Sequence, residues 1–340
     1  MKYYYIVEGK YRGNLGDVLQ GMVAKPFLPQ NAIPADREDL ASLDKNEQGL
    51  LVGNAWYMHS WDRFPPPDNI QPVYVSVHIA ESKMLKEKYV RDHFLKNAPI
   101  GCRDKKTLNL FLGWGIPAYY SGCLTITTER RPEINNTGKG EYLLVDNVDH
   151  PIPDNVVMAL EKQFKQQFIR VSHNPPVADI SFDQYVDEAS LLMNSLLERY
   201  CKAALVITTK IHCALPCLAM GANVVLIHPN LNDPRIASVS EFMQIYSYED
   251  VLRQDRLEKP RINRKRIESR KQFLSNIVVE SVKAGYNIMK SPQDLKLKKI
   301  RRTSFIKASI YSRVISLWLK IGFYPPNLKR VYSLKSKGHD

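Results

Sequence analysis

Short apolar runs that alternate with longer helical patterns constrain the fold of this 340-residue chain more than any other feature of its sequence. Runs such as Tyr3–Val7, Leu50–Val52 and Leu205–Thr208 are apolar at nearly every position, which is typical of parallel strands buried on both faces. The segment Phe182–Lys202 repeats apolar residues at helical spacing. Two successive series of such strand–helix units predict an α/β protein with two Rossmann-like, doubly wound domains that face a cleft.

A polar segment between the two series marks the predicted domain boundary. Residues 129–140 are rich in Gly, Asn and Pro, and a new strand–helix series begins directly after them. The pattern therefore predicts three parts of the chain, namely an N-terminal domain over residues 1–135, a C-terminal domain over residues 141–290 and a basic amphipathic tail over residues 291–340.

Individual elements follow from the same patterns. A nearly continuous apolar run predicts a strand at Val73–Val77, and helical spacing predicts a helix at Glu81–Lys96. A further helix is predicted over His212–Met220. We interpret Pro216 as part of its first turn, where proline is tolerated.

The positive charge of the sequence is concentrated near its C-terminus. The chain carries a formal net charge of +13, of which residues 295–340 contribute +11. The rest of the chain is nearly neutral, so we do not expect a nucleic-acid partner. Ser304–Phe323 carries apolar and polar residues on opposite faces, the pattern of an amphipathic helix. Two interpretations stay open: residues 296–323 bind an anionic membrane surface, or the helix packs on the body of the protein.

The sequence predicts a cytoplasmic protein. No signal peptide is visible before the first predicted strand, and no apolar run approaches the ~20 residues that span a bilayer. The five cysteines are irregularly spaced, which indicates a reducing compartment. Cys213 and Cys217 fall on an apolar helix, so we interpret them as buried thiols and predict no metal site. Membrane attachment of the tail would place the protein at the inner face of the plasma membrane.

Two loops after predicted strands in the first half carry polar residues suited to ligand binding. Asn14 and Asp17 flank a glycine-containing turn that opens a helix; an ordinary turn with a helix cap is the alternative. Trp56 and His59 lie in an aromatic segment that resembles a sugar-stacking surface; a packed loop over the sheet edge is the alternative. Loops at the carboxyl ends of strands bind the ligands of open α/β sheets.

Basic residues follow two further predicted strands. Asp104 can cap a helix and Arg103 can bind a carboxylate or phosphate, with a structural Arg–Asp pair as the alternative. Lys210 and His212 lie where the helix after Leu205–Thr208 begins. A helix N-terminus attracts anions, Lys210 adds a positive charge, and His212 can transfer a proton near neutral pH. We interpret this junction as an active site, with a surface histidine of no special role as the alternative.

Together these motifs resemble those of the polysaccharide pyruvyl transferase family over roughly residues 1–227. Their order along the chain makes the resemblance more specific than any one of them. The family usually carries Arg at the position of Lys210, and Lys keeps the charge but lacks the bidentate fork. The matching segments are Asn14–Asp17, Arg103-Asp104, Gly115–Thr125, Lys210-Ile211-His212 and Ala219–Val225.

The resemblance implies a GT-B-like fold with the donor in the C-terminal domain and the acceptor on the N-terminal side. It implies transfer of the enolpyruvyl group of phosphoenolpyruvate to a glycan or lipid-linked oligosaccharide. The product is a pyruvate ketal in exopolysaccharide or other surface-glycan biosynthesis, and the reaction requires no cofactor. A GT-B-type glycosyltransferase with a nucleotide-sugar donor is the alternative enzyme, and a binding protein that acts through its basic tail is the non-enzymatic alternative.

The resemblance also implies roles for the residues singled out above. Three sets are expected: catalytic residues, residues that bind phosphoenolpyruvate and residues that bind the acceptor. The first set is His212 and Asp17, the second is Lys210, Arg103 and Asn14, and the third is His59, Trp56 and Asp104.

Overall fold

The computed structural model describes residues 1–290 except 133, 136, 148, 175–178 and 256. The chain divides into two compact units that interleave along the sequence. Among the described residues, unit 1 comprises residues 1–6, 24–124 and 268–290, and unit 2 comprises residues 7–23 and 125–267. The predicted domain boundaries and the predicted cleft stay predictions. The predicted amphipathic tail lies outside the described residues.

Strands and helices alternate along the chain. The α/β class, with parallel sheets and helices, is confirmed. None of the helices in the described part of the chain is long and apolar enough to cross a membrane. In chain order the elements are β1 (Lys2–Val7), α1 (Leu15–Ala24), β2 (Ile33–Asp36), β3 (Gly49–Val52), β4 (Trp56–Tyr57), β5 (Ile70–Val73), β6 (His78–Ile79), α2 (Lys88–Lys96), β7 (Ile100–Cys102), α3 (Lys105–Gly113), β8 (Ala118–Tyr120), β9 (Tyr142–Val145), α4 (Asp154–Phe164), β10 (Ile169–Arg170), α5 (Phe182–Lys202), β11 (Leu205–Thr208), α6 (Ile211–Met220), β12 (Val224–His228), α7 (Ala237–Ser240), β13 (Tyr246–Ser247), α8 (Tyr248–Arg253) and α9 (Arg264–Lys290).

Unit 1 is built on a four-stranded sheet of order β2-β1-β3-β5, in which β1, β3 and β5 run parallel. Leu50, Leu51 and Val52 of β3 are fully buried, which explains why their run does not alternate with polar residues. Two short parallel pairs, β4–β6 and β7–β8, belong to the same unit. Its core is aromatic: Tyr57 and Phe94 meet edge to face with ring centroids 6.4 Å apart.

Unit 2 is built on a five-stranded parallel sheet of order β10-β9-β11-β12-β13. Helix α6 is buried from His212 to Met220, as its apolar sequence on all faces requires. The five cysteines of the chain are buried thiols, and two of them, Cys213 and Cys217, lie on this helix.

Two predicted elements differ from the structure because of the local backbone. The observed strand is Ile70–Val73, so it shares only Val73 with the strand predicted at Val73–Val77. Within the predicted run, Ser76 adopts a left-handed conformation with φ 56°, which is not a strand conformation. The helix predicted at Glu81–Lys96 is divided into a 3₁₀ turn and α2, because Glu87 between them is extended with ψ 123°.

Pro216 lies in the middle of α6 and not in its first turn, so that prediction is wrong. It is the sixth residue of a helix that begins at Ile211. A proline at this position has no N–H to donate to the carbonyl of His212, four residues earlier. The missing hydrogen bond therefore falls in the turn of α6 that begins at His212.

Candidate active site

The sheet of unit 2 has a topological switch point at its centre. The first strand of this sheet in chain order is β9. The next strand, β10, lies on one side of β9 and the following strand, β11, lies on its other side, so the connections diverge between β9 and β11. Val145 and Thr208 are register partners there, and the two strands end at the same level. Ligands of open α/β sheets bind outside the carboxyl ends of the strands at such a point.

Lys210 and His212 begin helix α6 at this switch point. Lys210 is the N-cap residue; its N–H donates to Oγ1 of Thr208 at 2.9 Å, and its carbonyl accepts from the N–H of Ala214 at 3.0 Å. His212 is the second residue of the helix and is 8% exposed. The unpaired N–H groups of a first helical turn carry a partial positive charge, to which Lys210 adds a full one.

The ammonium group of Lys210 is half-buried. Burial lowers the pKa of Lys210, and nearby acidic groups, of which Asp17 is the strongest, oppose this effect. Its Nζ donates to the neutral side chain of Asn174, with 3.4 Å between Nζ and Oδ1. A cation with so few ionic contacts in a partly desolvated position is well placed to attract an anionic ligand.

The Asn-x-Gly-Asp motif packs beside His212 within unit 2. The N–H of Leu15 donates to the carbonyl of His173 at 2.8 Å, which fixes the start of α1. A β-carbon at Gly16 would lie 2.9 Å from both Cβ and Nδ1 of His212, closer than side chains approach one another. The motif therefore requires glycine at this position, because α1 approaches the imidazole so closely.

Asn14 and Asp17 form the first turn of α1. Oδ1 of Asn14 accepts from the N–H of Gly16 at 3.1 Å, as a helix cap does. The Asp17 carboxylate accepts from the amide groups of Asn14 and Gln20 at 3.2 and 2.7 Å. We expected Asp17 on the N-terminal side, but it lies in unit 2 together with Lys210, because residues 7–23 pack with the later part of the chain.

A buried ion pair in unit 1 holds the aromatic loop. Nε of Arg37 lies 2.8 Å from Oε1 of Glu38, and neither side chain is more than 2% exposed. The guanidinium lies 5.0 Å from the centre of the Trp56 ring, which lies 4.5 Å from the His59 ring. The Glu38 carboxylate also accepts from the main-chain N–H groups of His59 and Ser60. The pair therefore fixes the loop that carries Trp56 and His59.

His59 is neutral near pH 7 in this environment. Burial lowers the pKa of His59, and the positive charge of Arg37 lowers this pKa further. The negative charge of Glu38 acts in the opposite direction and raises it. A neutral imidazole beside an aromatic ring can accept or donate one hydrogen bond with an uncharged polar ligand.

Arg103 and Asp104 connect β7 to α3 in unit 1. Asp104 is the N-cap of α3, and its Oδ1 accepts from the N–H of Thr107 at 2.8 Å. Its Oδ2 lies 2.6 Å from Nδ1 of His78. Arg103 is 3% exposed, and its guanidinium makes no hydrogen bond or ion pair with any residue that the structure describes. Arginine is seldom buried without such a partner.

The structure brings the predicted site residues together in two groups, one in each unit. The group in unit 2 is Asn14, Asp17, Lys210 and His212, and the group in unit 1 is Trp56, His59, Arg103 and Asp104. Buried polar residues of unit 1 that the sequence did not single out include Arg37, Glu38 and His78. For His78 a signal exists, since it directly follows an apolar run, as the predicted site residues do.

Comparison with known proteins identifies one family. The model of the polysaccharide pyruvyl transferase family matches residues 14–230. A search of curated proteins gives no match. Among solved structures, a functionally uncharacterized protein from Klebsiella pneumoniae is 14% identical with a TM-score of 0.42, covering 71% of this chain and 87% of that one. The UDP-N-acetylglucosamine 2-epimerase from Rickettsia bellii is 8% identical with a TM-score of 0.44, covering 85% of this chain and 98% of that one.

Proposed function

The chain belongs to the polysaccharide pyruvyl transferase family, and from this premise we propose that it transfers the enolpyruvyl group of phosphoenolpyruvate to sugar hydroxyls. The product is a pyruvate ketal on an exopolysaccharide or another surface glycan. The observation that carries this proposal is the start of α6 at the switch point, where Lys210 and His212 lie beside the Asn14–Asp17 turn.

Donor binding requires cations, because phosphoenolpyruvate carries a phosphate and a carboxylate. Lys210 and the N–H groups of the first turn of α6 supply one binding site for such a group in unit 2. The neighbouring amide of Asn14 adds a hydrogen-bond donor. We assign Arg103 of unit 1 to an anionic ligand group as well, since such a group would compensate a buried guanidinium that makes no ion pair with the described residues.

His212 is the general acid–base of the proposed reaction. It donates a proton to the methylene carbon of the donor while a sugar hydroxyl bonds to C2 and gives its own proton to a base. A second hydroxyl then displaces the phosphate from C2, and its proton is taken up by the released phosphate. Asp17 lies close enough to Lys210 to favour its charged form, and we assign the carboxylate to the same step.

The acceptor interacts with Trp56 and His59 in this proposal. The Trp56 ring offers an apolar face for a sugar ring, and the neutral imidazole of His59 offers a hydrogen bond to a hydroxyl. The buried Arg37–Glu38 pair keeps both side chains in place. A glycan or lipid-linked oligosaccharide assembled in the cytoplasm is the acceptor class that we expect.

A donor screen tests the proposal. The purified full chain is incubated with a panel of nitrophenyl hexosides and either phosphoenolpyruvate or a nucleotide sugar. We expect phosphate release only with phosphoenolpyruvate and a sugar acceptor together, with a ketal detected by mass spectrometry. Transfer from a nucleotide sugar would instead support a glycosyltransferase and would refute the proposed donor.

A further inference from the structure

A histidine–aspartate pair lies next to Arg103 in unit 1. The Asp104 carboxylate accepts hydrogen bonds from the N–H of Thr107 at 2.8 Å and from its hydroxyl at 3.1 Å. Nδ1 of His78 lies 2.6 Å from the same carboxylate. Because a carboxylate only accepts hydrogen bonds, the proton of the neutral imidazole is on Nδ1 and the lone pair is on Nε2.

Both members of the pair are held in the protonation states that this arrangement needs. Burial lowers the pKa of His78, the hydrogen bond to Asp104 partly offsets it, and the charge of Arg103 lowers it further. Burial alone would raise the pKa of Asp104, but the hydrogen bond and charge of His78, together with the N–H of Thr107 and the charge of Arg103, lower it. Near pH 7 the pair is therefore a neutral imidazole and a carboxylate.

The Nε2 atom of His78 has no hydrogen-bond partner among the described residues. The side chain is 8% exposed, so the ring is almost entirely surrounded by protein. Nε2 is not one of the fully buried polar atoms that lack a partner, so the small exposed part of the side chain includes this atom. A ligand hydroxyl can therefore reach Nε2 and donate a hydrogen bond to it.

The short strands of unit 1 place His78 beside the proposed acceptor residues. Trp56 of β4 and His78 of β6 are register partners in a parallel pair. Neighbouring strands lie about 4.8 Å apart, and register partners project from the same face. Arg103 is held next to the pair as well, because its N–H donates to the carbonyl of Val77 at 2.8 Å.

We propose that His78 is a further catalytic residue, whose Nε2 removes the proton of the acceptor hydroxyl while Asp104 positions the ring. The O–H bond of the sugar breaks, its oxygen bonds to C2 of the enolpyruvyl group, and the proton passes to Nε2. The methylene carbon gains a proton from the general acid in the same addition, and the imidazolium afterwards returns its proton to water. This inference rests on the proposed function, because it requires a hydroxyl acceptor.

The substitution His78→Asn tests the catalytic role. Asparagine keeps an N–H that can donate to Asp104 but has no group that can act as a base. We expect kcat for phosphate release with phosphoenolpyruvate and nitrophenyl hexosides to fall by about 10²- to 10⁴-fold, the usual contribution of a general base. The affinity for phosphoenolpyruvate, measured by calorimetry, stays at the wild-type value. A wild-type kcat in this variant would overturn the inference.

His93→Asn is the matched control. His93 is also a buried histidine of unit 1, its Nε2 lies 2.7 Å from the Tyr74 hydroxyl, and burial lowers its pKa to about 4. We expect this variant to lose stability and keep the wild-type kcat. An equal loss of kcat in both variants would mean that His78 acts through the core of unit 1, and would overturn the catalytic role.

Asp104→Asn tests the positioning role through the pH profile. The carboxylate raises the pKa of His78 by its hydrogen bond and its charge, so its removal lowers that pKa further. A base works in its deprotonated form, so the acidic limb of kcat/KM should move to lower pH. An unmoved limb would contradict the pairing of His78 with Asp104. If the wild-type protein forms no ketal at all, the proposed function fails and the inference fails with it.

Discussion

At the scale of single residues, Gly16 gives the simplest test of the packing around His212. The substitution Gly16→Ala would place a methyl group 2.9 Å from Cβ and Nδ1 of His212, so the ring or the start of α1 must move. A shift of about 1 Å at a catalytic group costs on the order of 10²-fold in rate. We expect kcat/KM to fall by about that factor.

Gly113→Ala is the control for this substitution. A β-carbon at Gly113, the last residue of α3, would meet no atom within 4 Å. Alanine in a helix is about 0.5–1 kcal/mol more favourable than glycine, so this variant should be at least as stable as the wild type and equally active. Wild-type activity in Gly16→Ala would contradict the close approach of α1 to the imidazole.

The charge of Lys210 should set the alkaline limit of donor binding. Burial lowers the pKa of Lys210, so its charge is lost at a lower pH than that of an ordinary lysine, and donor affinity should fall as the pH rises through that pKa. Lys210→Arg, which keeps its charge, should extend binding to higher pH. Lys210→Gln should weaken binding about 10-fold or more at pH values where Lys210 is charged, and the difference from the wild type should disappear as the pH rises through the pKa of Lys210. The same alkaline limit in wild type and Lys210→Arg, measured as KM for phosphoenolpyruvate, would refute this role.

The sequence predicts a site residue well when that residue directly follows a recognisable strand. Lys210, His212 and Arg103 follow apolar runs that are long enough to be identified as strands, so their place at strand ends could be predicted. His78 belongs to a strand of two residues, and its importance lies in pairing with Asp104, 26 positions later. No local pattern carries that information.

At the scale of elements, α5 shows what a sequence can determine by itself. The helix was predicted at Phe182–Lys202 and is observed there. A capping box defines its start, in which Ser181 accepts from the N–H of Gln184 and Gln184 accepts from that of Ser181. In contrast, the strand predicted at Val73–Val77 is observed at Ile70–Val73, and the composition of the run does not reveal the left-handed conformation of Ser76.

Loss of the cap should destabilise the protein without affecting catalysis. Ser181→Ala removes the acceptor for the N–H of Gln184, and loss of a helix cap costs about 1 kcal/mol. We expect the free energy of unfolding of the full chain, measured by urea titration, to fall by about that amount. Ser195→Ala, at an exposed position within the same helix, should leave it unchanged. Equal stability of the two variants would show that the capping box contributes nothing.

At the scale of the whole molecule, the main surprise is the path of the N-terminal segment. Residues 7–23 belong to unit 2, although Val7 is the last residue of β1, a strand of the sheet of unit 1. Sequence proximity suggested one domain for residues 1–135. The N–H of Leu15 donates to the carbonyl of His173, 158 positions away, and this contact ties the segment to unit 2. Contacts of that kind leave no local signal.

The basic tail offers a test at the same scale. Residues 295–340 contribute +11 to the net charge, and each basic residue near an anionic membrane surface contributes about 1 kcal/mol to binding. We expect the full chain to sediment with liposomes that contain phosphatidylserine, and a chain truncated before Lys296 to remain in the supernatant. Equal sedimentation of both chains would favour a tail that packs on the protein.

The most direct measurement is mass spectrometry of the surface glycan made by cells that produce the wild-type protein, the His212→Ala variant or neither. Circular dichroism and thermal unfolding of the purified variant confirm that it is folded. We predict a pyruvate ketal on the glycan only in cells with the wild-type protein. A glycan without ketal in wild-type cells, or the same amount of ketal with His212→Ala, would contradict the assignment of His212 as the group that transfers protons in ketal formation.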